Sequence, residues 1–252
     1  MQAYIPWKFV WAFNFMQICS MNYPWRYESE SHRTSDKGYY VHIGDQIHAV
    51  WFSVDGTISA YEISLDQVVT EQLHCIEMSA SFSVIPKDFL GIEIPGIRVN
   101  TISELETGIY LAYEGKDHGF HWMQGVYLLA KNVAEKHKQV AYFWTGGNQT
   151  FIVVFKDGKL QLANSFSTSN IAEMVYFVSA SMHDSGLESL RYHLLANVSS
   201  TLQGQLLHEF ERLGIQVTAV HQDVEVPGLP MQDKYIAQVL LSIPSCGLPE
   251  AI

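Results

Sequence analysis

Two glycine turns hold the residue types best suited to gripping a phosphate. Gly44-Asp45-Gln46 and Gly146-Gly147-Asn148-Gln149-Thr150 each follow an apolar stretch, and backbone N–H groups presented by a tight turn can cradle an anion. Gly44, Asp45, Gly146, Gly147, Asn148 and Thr150 are therefore the candidate phosphate-loop positions, with Asp45 placed just past its turn as a displaced metal ligand or a solvated turn residue. The plainer reading of both stretches is a pair of hairpin turns punctuated by glycine. Other chemistry is thinner. His118 and His121, in His-Gly-Phe-His, lack a third and fourth ligand at fixed spacing, so they read as ordinary surface or half-buried histidines and no metal site is assigned. His42 on an apolar strand reads as a satisfied core histidine before a base. Trp51 and Trp144 read as core aromatics before a stacking platform. No Ser-His-Asp or Cys-His arrangement emerges. Cys19, Cys75 and Cys246 stand far apart in apolar contexts, which suits reduced, inert thiols better than a disulfide or zinc framework.

The elements that must position these turns are strands. Val140, Tyr142 and Trp144 alternate as in a half-buried strand. Gly146-Gly147-Asn148 supplies a tight turn, Phe151 to Phe155 is a second apolar strand, and Asp157-Gly158 marks a hairpin before Leu160, Leu162 and Phe166. Val41 to Ile63 echoes this unit without a gap. A shift of 102 residues places Gly44 on Gly146, Asp55-Gly56 on Asp157-Gly158, His42 on Trp144 and Gln46 on Asn148. The pattern is an internal repeat of one β-rich unit.

Each copy leads into alternating helix and strand. In the first, strands are expected near Tyr39–Gly44, Ile47–Val54 and Thr57–Ile63. A helix capped by Ser64 and Gln67 follows, burying Leu65, Val68, Val69 and Leu73, then a strand over Leu73–Met78. Phe82, Val84 and Ile85 lead to Pro86, Gly91 to Thr101 reads as irregular, and Ile109–Tyr113 and Phe120–Met123 read as short strands. Gly125–His137 has helical periodicity. In the second copy, Asn170 with Glu173 and Ser200 with Gln203 form N-terminal boxes. The strand between them holds Tyr192, Leu194, Leu195 and Val198, and Leu202, Leu206, Leu207, Phe210 and Leu213 form a helical stripe closed by Gly214. Ile215–Val220 is a strand and Tyr235–Ile243 a last helix. Three meandering strands followed by helix and strand alternation imply an α/β fold with mixed sheets and helices on their faces.

Composition bounds the rest. The chain has 252 residues, 48% hydrophobic and 16% charged, enough for a substantial core. A net charge of −11 argues against a broad phosphate-binding surface and so against a nucleic-acid partner. Ile5 to Met21 is apolar but interrupted by Lys8, Asn14 and Gln17. It is shorter than the roughly 20 clean apolar residues a spanning helix requires and has no charged n-region or A-x-A site to favour a signal peptide, and it reads as an amphipathic segment packing on the domain or a start placed too far upstream. Asn22 to Lys37 reads as a polar, flexible lead-in. The expected divisions are 1–37 as lead-in, 38–138 and 139–226 as two lobes, and 227–252 as a C-terminal helix and tail.

The duplicated order of three strands, helix, strand, helix and strand resembles the actin and sugar-kinase type of ATPase fold, a ribonuclease-H-like architecture. Phe82-Ser-Val-Ile-Pro-Lys-Asp-Phe89, Lys156-Asp-Gly-Lys-Leu160 with Asn164-Ser165-Phe166, and the Tyr235 to Cys246 end further resemble an uncharacterised bacterial family of unknown function with this fold. The resemblance covers Tyr39 to Cys246. It implies two strands ending in Asp-x-Gly, whose carboxylates hold Mg²⁺ and the attacking water beside ATP. Here those positions are His42 and Trp144, and the glycine pair of an adenosine loop is replaced by Leu195-Ala196-Asn197-Val198-Ser199. The expectation is a degenerate, pseudo-ATPase fold without cofactor, acting in the cytoplasm by binding a protein partner. The alternative is a nucleotide binder or phosphotransferase using ATP with Mg²⁺ through atypical phosphate loops. An ATP-independent enzyme using the cleft is a third reading.

Overall fold

Alternating apolar residues and turn-forming glycines set up two antiparallel meanders. In the computed structural model, which describes residues 25–30, 36–65, 73–78, 81–90, 99, 101–114, 120–187, 193–220, 224–243 and 250–251, the first meander runs through Lys37–Ile43 (β2), Gln46–Phe52 (β3) and Ile58–Ser64 (β4). Trp25–Glu28 (β1) pairs antiparallel with β4, so part of the stretch read as a flexible lead-in is a strand. Its Trp25 ring packs 6.0 Å from Tyr61. Leu73–Glu77 (β5) joins β2 in parallel and Phe120–His121 (β9) joins β5 in parallel, giving the order β1-β4-β3-β2-β5-β9.

The second meander is Gln139–Gly146 (β10), Gln149–Lys156 (β11) and Lys159–Ser167 (β12), extended in parallel by His193–Asn197 (β13) and Val217–Ala219 (β14). Its order, β12-β11-β10-β13-β14, repeats β4-β3-β2-β5-β9 strand for strand and sense for sense. A third, four-stranded antiparallel sheet is inserted between β5 and β9. Phe82–Pro86 (β6), Thr101–Glu106 (β7) and Ile109–Tyr113 (β8) form it with the C-terminal pair Glu250–Ala251 (β15), in the order β15-β7-β8-β6. The irregular stretch expected up to Thr101 therefore ends in strand β7. Most of Gly91–Asn100 lies outside the described residues, as do the Ser64–Gln67 helix beyond Leu65, the segment Ile5–Met21, Tyr192, Cys19, Cys246 and His118.

Four α-helices complete the fold among the described residues: Trp122–Ala134 (α1), Ile171–Asp184 (α2), Ser200–Arg212 (α3) and Lys234–Ser242 (α4). α1 begins three residues earlier than its periodicity suggested, because His121 supplies an N-cap. Its Nδ1 accepts from the Met123 N–H at 3.1 Å, and Gln124 Oε1 accepts from the His121 N–H at 2.7 Å. Asn170 Oδ1 accepts from the Glu173 N–H at 2.9 Å, but the Glu173 carboxylate returns to Ser169 N–H and Oγ rather than to Asn170. These donors hold the Glu173 carboxyl below its ordinary value. The cap of α3 is Ser199, one residue before the expected Ser200, and it accepts from the Leu202 N–H at 3.4 Å.

Helix placement sets the architecture. α2 and α3 cover the outer face of the second sheet, where Phe143, Ile152, Val154, Val178, Leu206 and Phe210 are buried together. α1 follows the first sheet but packs on β10 and β11 of the second; α4 follows the second sheet but packs on β2 and β3 of the first. This exchange merges both inner faces, α1 and α4 into one continuous core from Tyr39 and Val41 to Trp144 and Leu240. The two crossing helices meet closely at Gly125. A methyl group built there would stand 2.8 Å from the Val239 carbonyl oxygen.

Candidate functional site at the junction of the two lobes

The two glycine turns meet. In the hairpin β2–β3, Ile43 pairs with Gln46 across Gly44-Asp45; in β10–β11, Gly146 pairs with Gln149 across Gly147-Asn148. Gly147 and Asn148 both adopt positive φ, 57° and 62°, the left-handed pair that a two-residue hairpin turn requires. A methyl group built on Gly147 would stand 3.4 Å from the backbone nitrogen of Gly44. Gly44, Asp45, Gly147 and Asn148 are exposed, and the two turns lie side by side at the molecular surface with space for little more than that methyl group between them.

These pairings correct the ungapped superposition. Equivalent turn residues are related by a shift of 103, not 102, because the loop after β3 is one residue longer (Val54-Asp55-Gly56) than the Asp157-Gly158 turn after β11. A one-residue slip moves every side chain to the opposite face. The counterpart of Trp144 is accordingly Val41, and that of His42 is Thr145. Tyr39, Val41 and Ile43 face the shared core, as do Val140, Tyr142 and Trp144. His42 is exposed and packs its ring 5.6 Å from Tyr40, so it is not the core histidine expected.

Trp144 fills the space behind the turns. Its indole is fully buried, stacked at 21° on Tyr235 of α4 with centroids 5.7 Å apart and edge-on to Trp122 of α1 at 5.0 Å. Nε1 donates to the Tyr235 carbonyl at 3.2 Å. Gly146 lies flat against this ring: a methyl group there would stand 2.8 Å from Trp144 Cη2 and 3.1 Å from the Tyr235 hydroxyl. Thr150 is buried, and its hydroxyl donates to Thr145 Oγ1 at 3.1 Å and shares a 2.8 Å bond with Thr168. It braces the turn from inside and presents nothing outward. Asn197, in the stretch matching an adenosine loop, turns inward to donate to the Tyr142 hydroxyl at 2.9 Å and to the Tyr235 carbonyl at 3.4 Å.

Around this plug lies a buried polar group that local spacing did not disclose. His48 on β3 is fully buried, its Nδ1 3.3 Å from the Tyr61 hydroxyl and its Nε2 without a hydrogen-bond partner. Burial lowers its pKa to about 4. Asp233, at the start of α4, is 6% exposed, and burial pushes its carboxyl up to about 6. Burial, and after it the Asp233 charge, raises the Tyr61 and Tyr235 hydroxyls. His48 and Asp233 are 185 residues apart in sequence; only the exchange of α4 onto the first sheet brings their surroundings together. His121, the remaining described member of the His-Gly-Phe-His motif, is the buried cap of α1 described above. Cys75 is half-buried, and its thiol donates to the Glu77 carboxylate at 3.7 Å. Among the described residues no three His, Cys, Asp or Glu side chains converge as a metal site, and no helix is long and apolar enough to cross a membrane.

Comparison with known proteins places this geometry. A protein of unknown function from Bacteroides thetaiotaomicron VPI-5482, described as having an actin-like ATPase fold, superimposes with a TM-score of 0.59 at 12% identity, over 82% of this chain and 96% of that one. The chain has the actin-like ATPase fold. A chain of the PilM-PilN type IV pilus biogenesis complex shares this actin-like fold, with a TM-score of 0.57 at 11% identity over 84% of this chain and 99% of that one. Residues 104–212, from β7 to the end of α3, match the family described as "Protein of unknown function (DUF3822)". No curated protein matches the chain.

The actin-like fold implies Mg-ATP between the lobes, and the residues present do not fit it. Hard cations take oxygen ligands, chiefly carboxylates. The two strand-end positions hold His42 and Thr145, an imidazole and a hydroxyl already bonded internally. The volume behind the turns is occupied by the Trp144 and Tyr235 rings.

Proposed function

We propose that this chain is a non-catalytic actin-like module, acting in the cytoplasm as a protein-interaction or scaffold element. The two lobes descend from one duplicated unit, and the space between them is spent on internal packing. The observation that carries the reading is the Trp144–Tyr235 stack: a fully buried indole, hydrogen-bonded across to α4, stands where an ATPase of this fold keeps its cleft. The closeness of the Gly44 and Gly147 turns supports it: a methyl group on Gly147 would already stand 3.4 Å from the Gly44 nitrogen, which leaves little room for a phosphate between them. The likeness to a chain from a PilM-PilN complex supports a role in binding protein, by analogy of fold.

The second reading is a nucleotide binder that uses the turns from outside. In its favour, Gly44, Asp45, Gly147 and Asn148 are exposed and adjacent. Isothermal titration with Mg-ATP separates the two. The expected result is no saturable heat; binding tighter than about 1 mM that Asp45→Ala weakens would replace the scaffold reading with the nucleotide reading.

A further inference from the structure

Two sheet edges flank one groove. Among the described residues β12 pairs only with β11, at the edge of the second sheet, and β6 pairs only with β8, at the edge of the inserted sheet. Between them lies a groove of about 390 Å³ whose walls include Phe82, Val84, Ile109, Leu160, Leu162 and Ala163. The edges run antiparallel across it. At one end Phe82 packs 4.9 Å from His121, which stands 6.2 Å from Phe151, the partner of Ser165. At the other, Pro86 pairs with Ile109 and Ile109 with Glu106. Glu106 accepts from the Tyr127 hydroxyl at 2.5 Å, and Tyr127 packs 5.7 Å from Phe155, the partner of Leu160.

From this we infer that the groove is a β-augmentation site, which takes an extended, uncharged segment of about five residues from a partner protein between β6 and β12. The inference rests on the scaffold reading and names the chemistry of its partner. Unpaired edge N–H and C=O groups need hydrogen-bond partners, and an added strand supplies them with side-chain pockets alternating along its length. A helix satisfies its own backbone and leaves the edges bare. A small polar ligand would want several convergent side-chain donors, whereas the groove's polar side chains are Ser83, Gln161 and Asn164, of which Gln161 already donates to the Lys159 carbonyl and Asn164 already accepts from the Ser165 N–H. Among the described residues no ionisable side chain lines it, so a charge on an inserted residue would be desolvated without compensation.

A second copy of this chain is a poor occupant. With a net charge of −11, two copies repel, and a strand already locked into a sheet cannot enter a slot between two others. Gln161 marks the entrance to β12. It is the bulge residue, skipped where Phe155 pairs with Leu160 and Val154 with Leu162, so its backbone owes no ladder bond to β11.

The test uses the full chain and a displayed library of random peptides. The tightest peptide recovered is synthesised, titrated by fluorescence anisotropy and mapped by hydrogen exchange. Protection should appear on Phe82–Pro86 and Leu160–Asn164. Gln161→Pro and Val84→Arg should each weaken binding roughly tenfold or more with the thermal midpoint of Gln161→Pro unchanged. Three outcomes would overturn the inference: no peptide tighter than about 1 mM, protection on α2 and α3 instead, or affinity indifferent to both substitutions. Self-association in sedimentation runs that Gln161→Pro abolishes would also overturn it, in favour of a second copy. Failure here leaves the Mg-ATP result untouched, and a saturable Mg-ATP titration would defeat the scaffold reading by itself.

Discussion

At the register set by the two turns, the cross-strand pair Val41–His48 of the first sheet corresponds to Trp144–Phe151 of the second. Both pairs face the same core. One lobe thus offers a small aliphatic residue and a buried imidazole where the other offers an indole and a phenyl ring. Two sheets of the same strand order have been given unequal shares of one task, which is to fill the core between them. The second lobe supplies the bulk, and the first supplies the space together with a polar group that gains from having company.

Substituting Trp144→Val, which copies the first lobe into the second, breaks this division directly. It deletes a fully buried indole and its 3.2 Å bond to the Tyr235 carbonyl. The expected loss is about 3–5 kcal/mol of unfolding free energy, read from urea midpoints at constant slope. A loss under about 1 kcal/mol would mean that the junction closes without the ring, and the division of labour would be wrong.

The same comparison shows what could be read from residues in order. Alternation and turn glycines gave both meanders, since a strand's period and a hairpin's φ requirement are local. Neither gave the register: Asp55-Gly56 and Asp157-Gly158 align perfectly as letters, yet they sit in loops of three and two residues. A hairpin loop length is a geometric property that identical dipeptides do not reveal. β1 was hidden because Trp25–Glu28 is a half-exposed edge strand with little hydrophobic signal. His121 looked like half of a motif and is a helix cap, a role decided by the N–H groups that follow it. Tyr235, Asn197, His48 and Asp233 were invisible as a group because the swap of α1 and α4 between sheets leaves no trace in local spacing.

His48→Phe sharpens the comparison on the pH axis, installing the residue that the second lobe carries at that point. Neutral in the fold down to about pH 4, His48 takes up a proton in the unfolded chain below about pH 6.5. The unfolded state therefore binds more protons between those limits, and stability drains away as pH falls through them. The free-energy difference between wild type and His48→Phe should rise by up to about 3 kcal/mol from pH 4 to 6.5, in wild type's favour. Asp233 has the opposite sign. Its carboxyl is raised to about 6, so the fold holds a proton that the unfolded chain has already released, and its contribution is lost as pH climbs from about 4 to about 6. Wild type minus Asp233→Asn should accordingly fall over that window. Two flat differences in pH-dependent denaturation would show that neither group is sealed in the junction.

The smallest effects separate packing between the lobes from packing within one. Gly125 of α1 and Gly204 of α3 are both mid-helix glycines, positions where alanine is intrinsically favoured by about 1 kcal/mol. Nothing stands within 4 Å of a methyl group on Gly204, which is exposed on the outer helix. Gly204→Ala should therefore stabilise the protein by about that amount. At Gly125 the same methyl group meets the Val239 carbonyl oxygen and Val239 Cγ1 at 2.8 Å, and Ser242 Oγ at 2.9 Å. The side-chain atoms can swing aside but the backbone oxygen cannot, so α1 and α4 must part. Overpacking of this kind costs about 1–3 kcal/mol, which outweighs the helical gain and reverses the sign. Thermal midpoints of the two variants should thus move in opposite directions. If Gly125→Ala rose with Gly204→Ala, the crossing of α1 and α4 would be loose, and the junction would have room for something other than its own side chains.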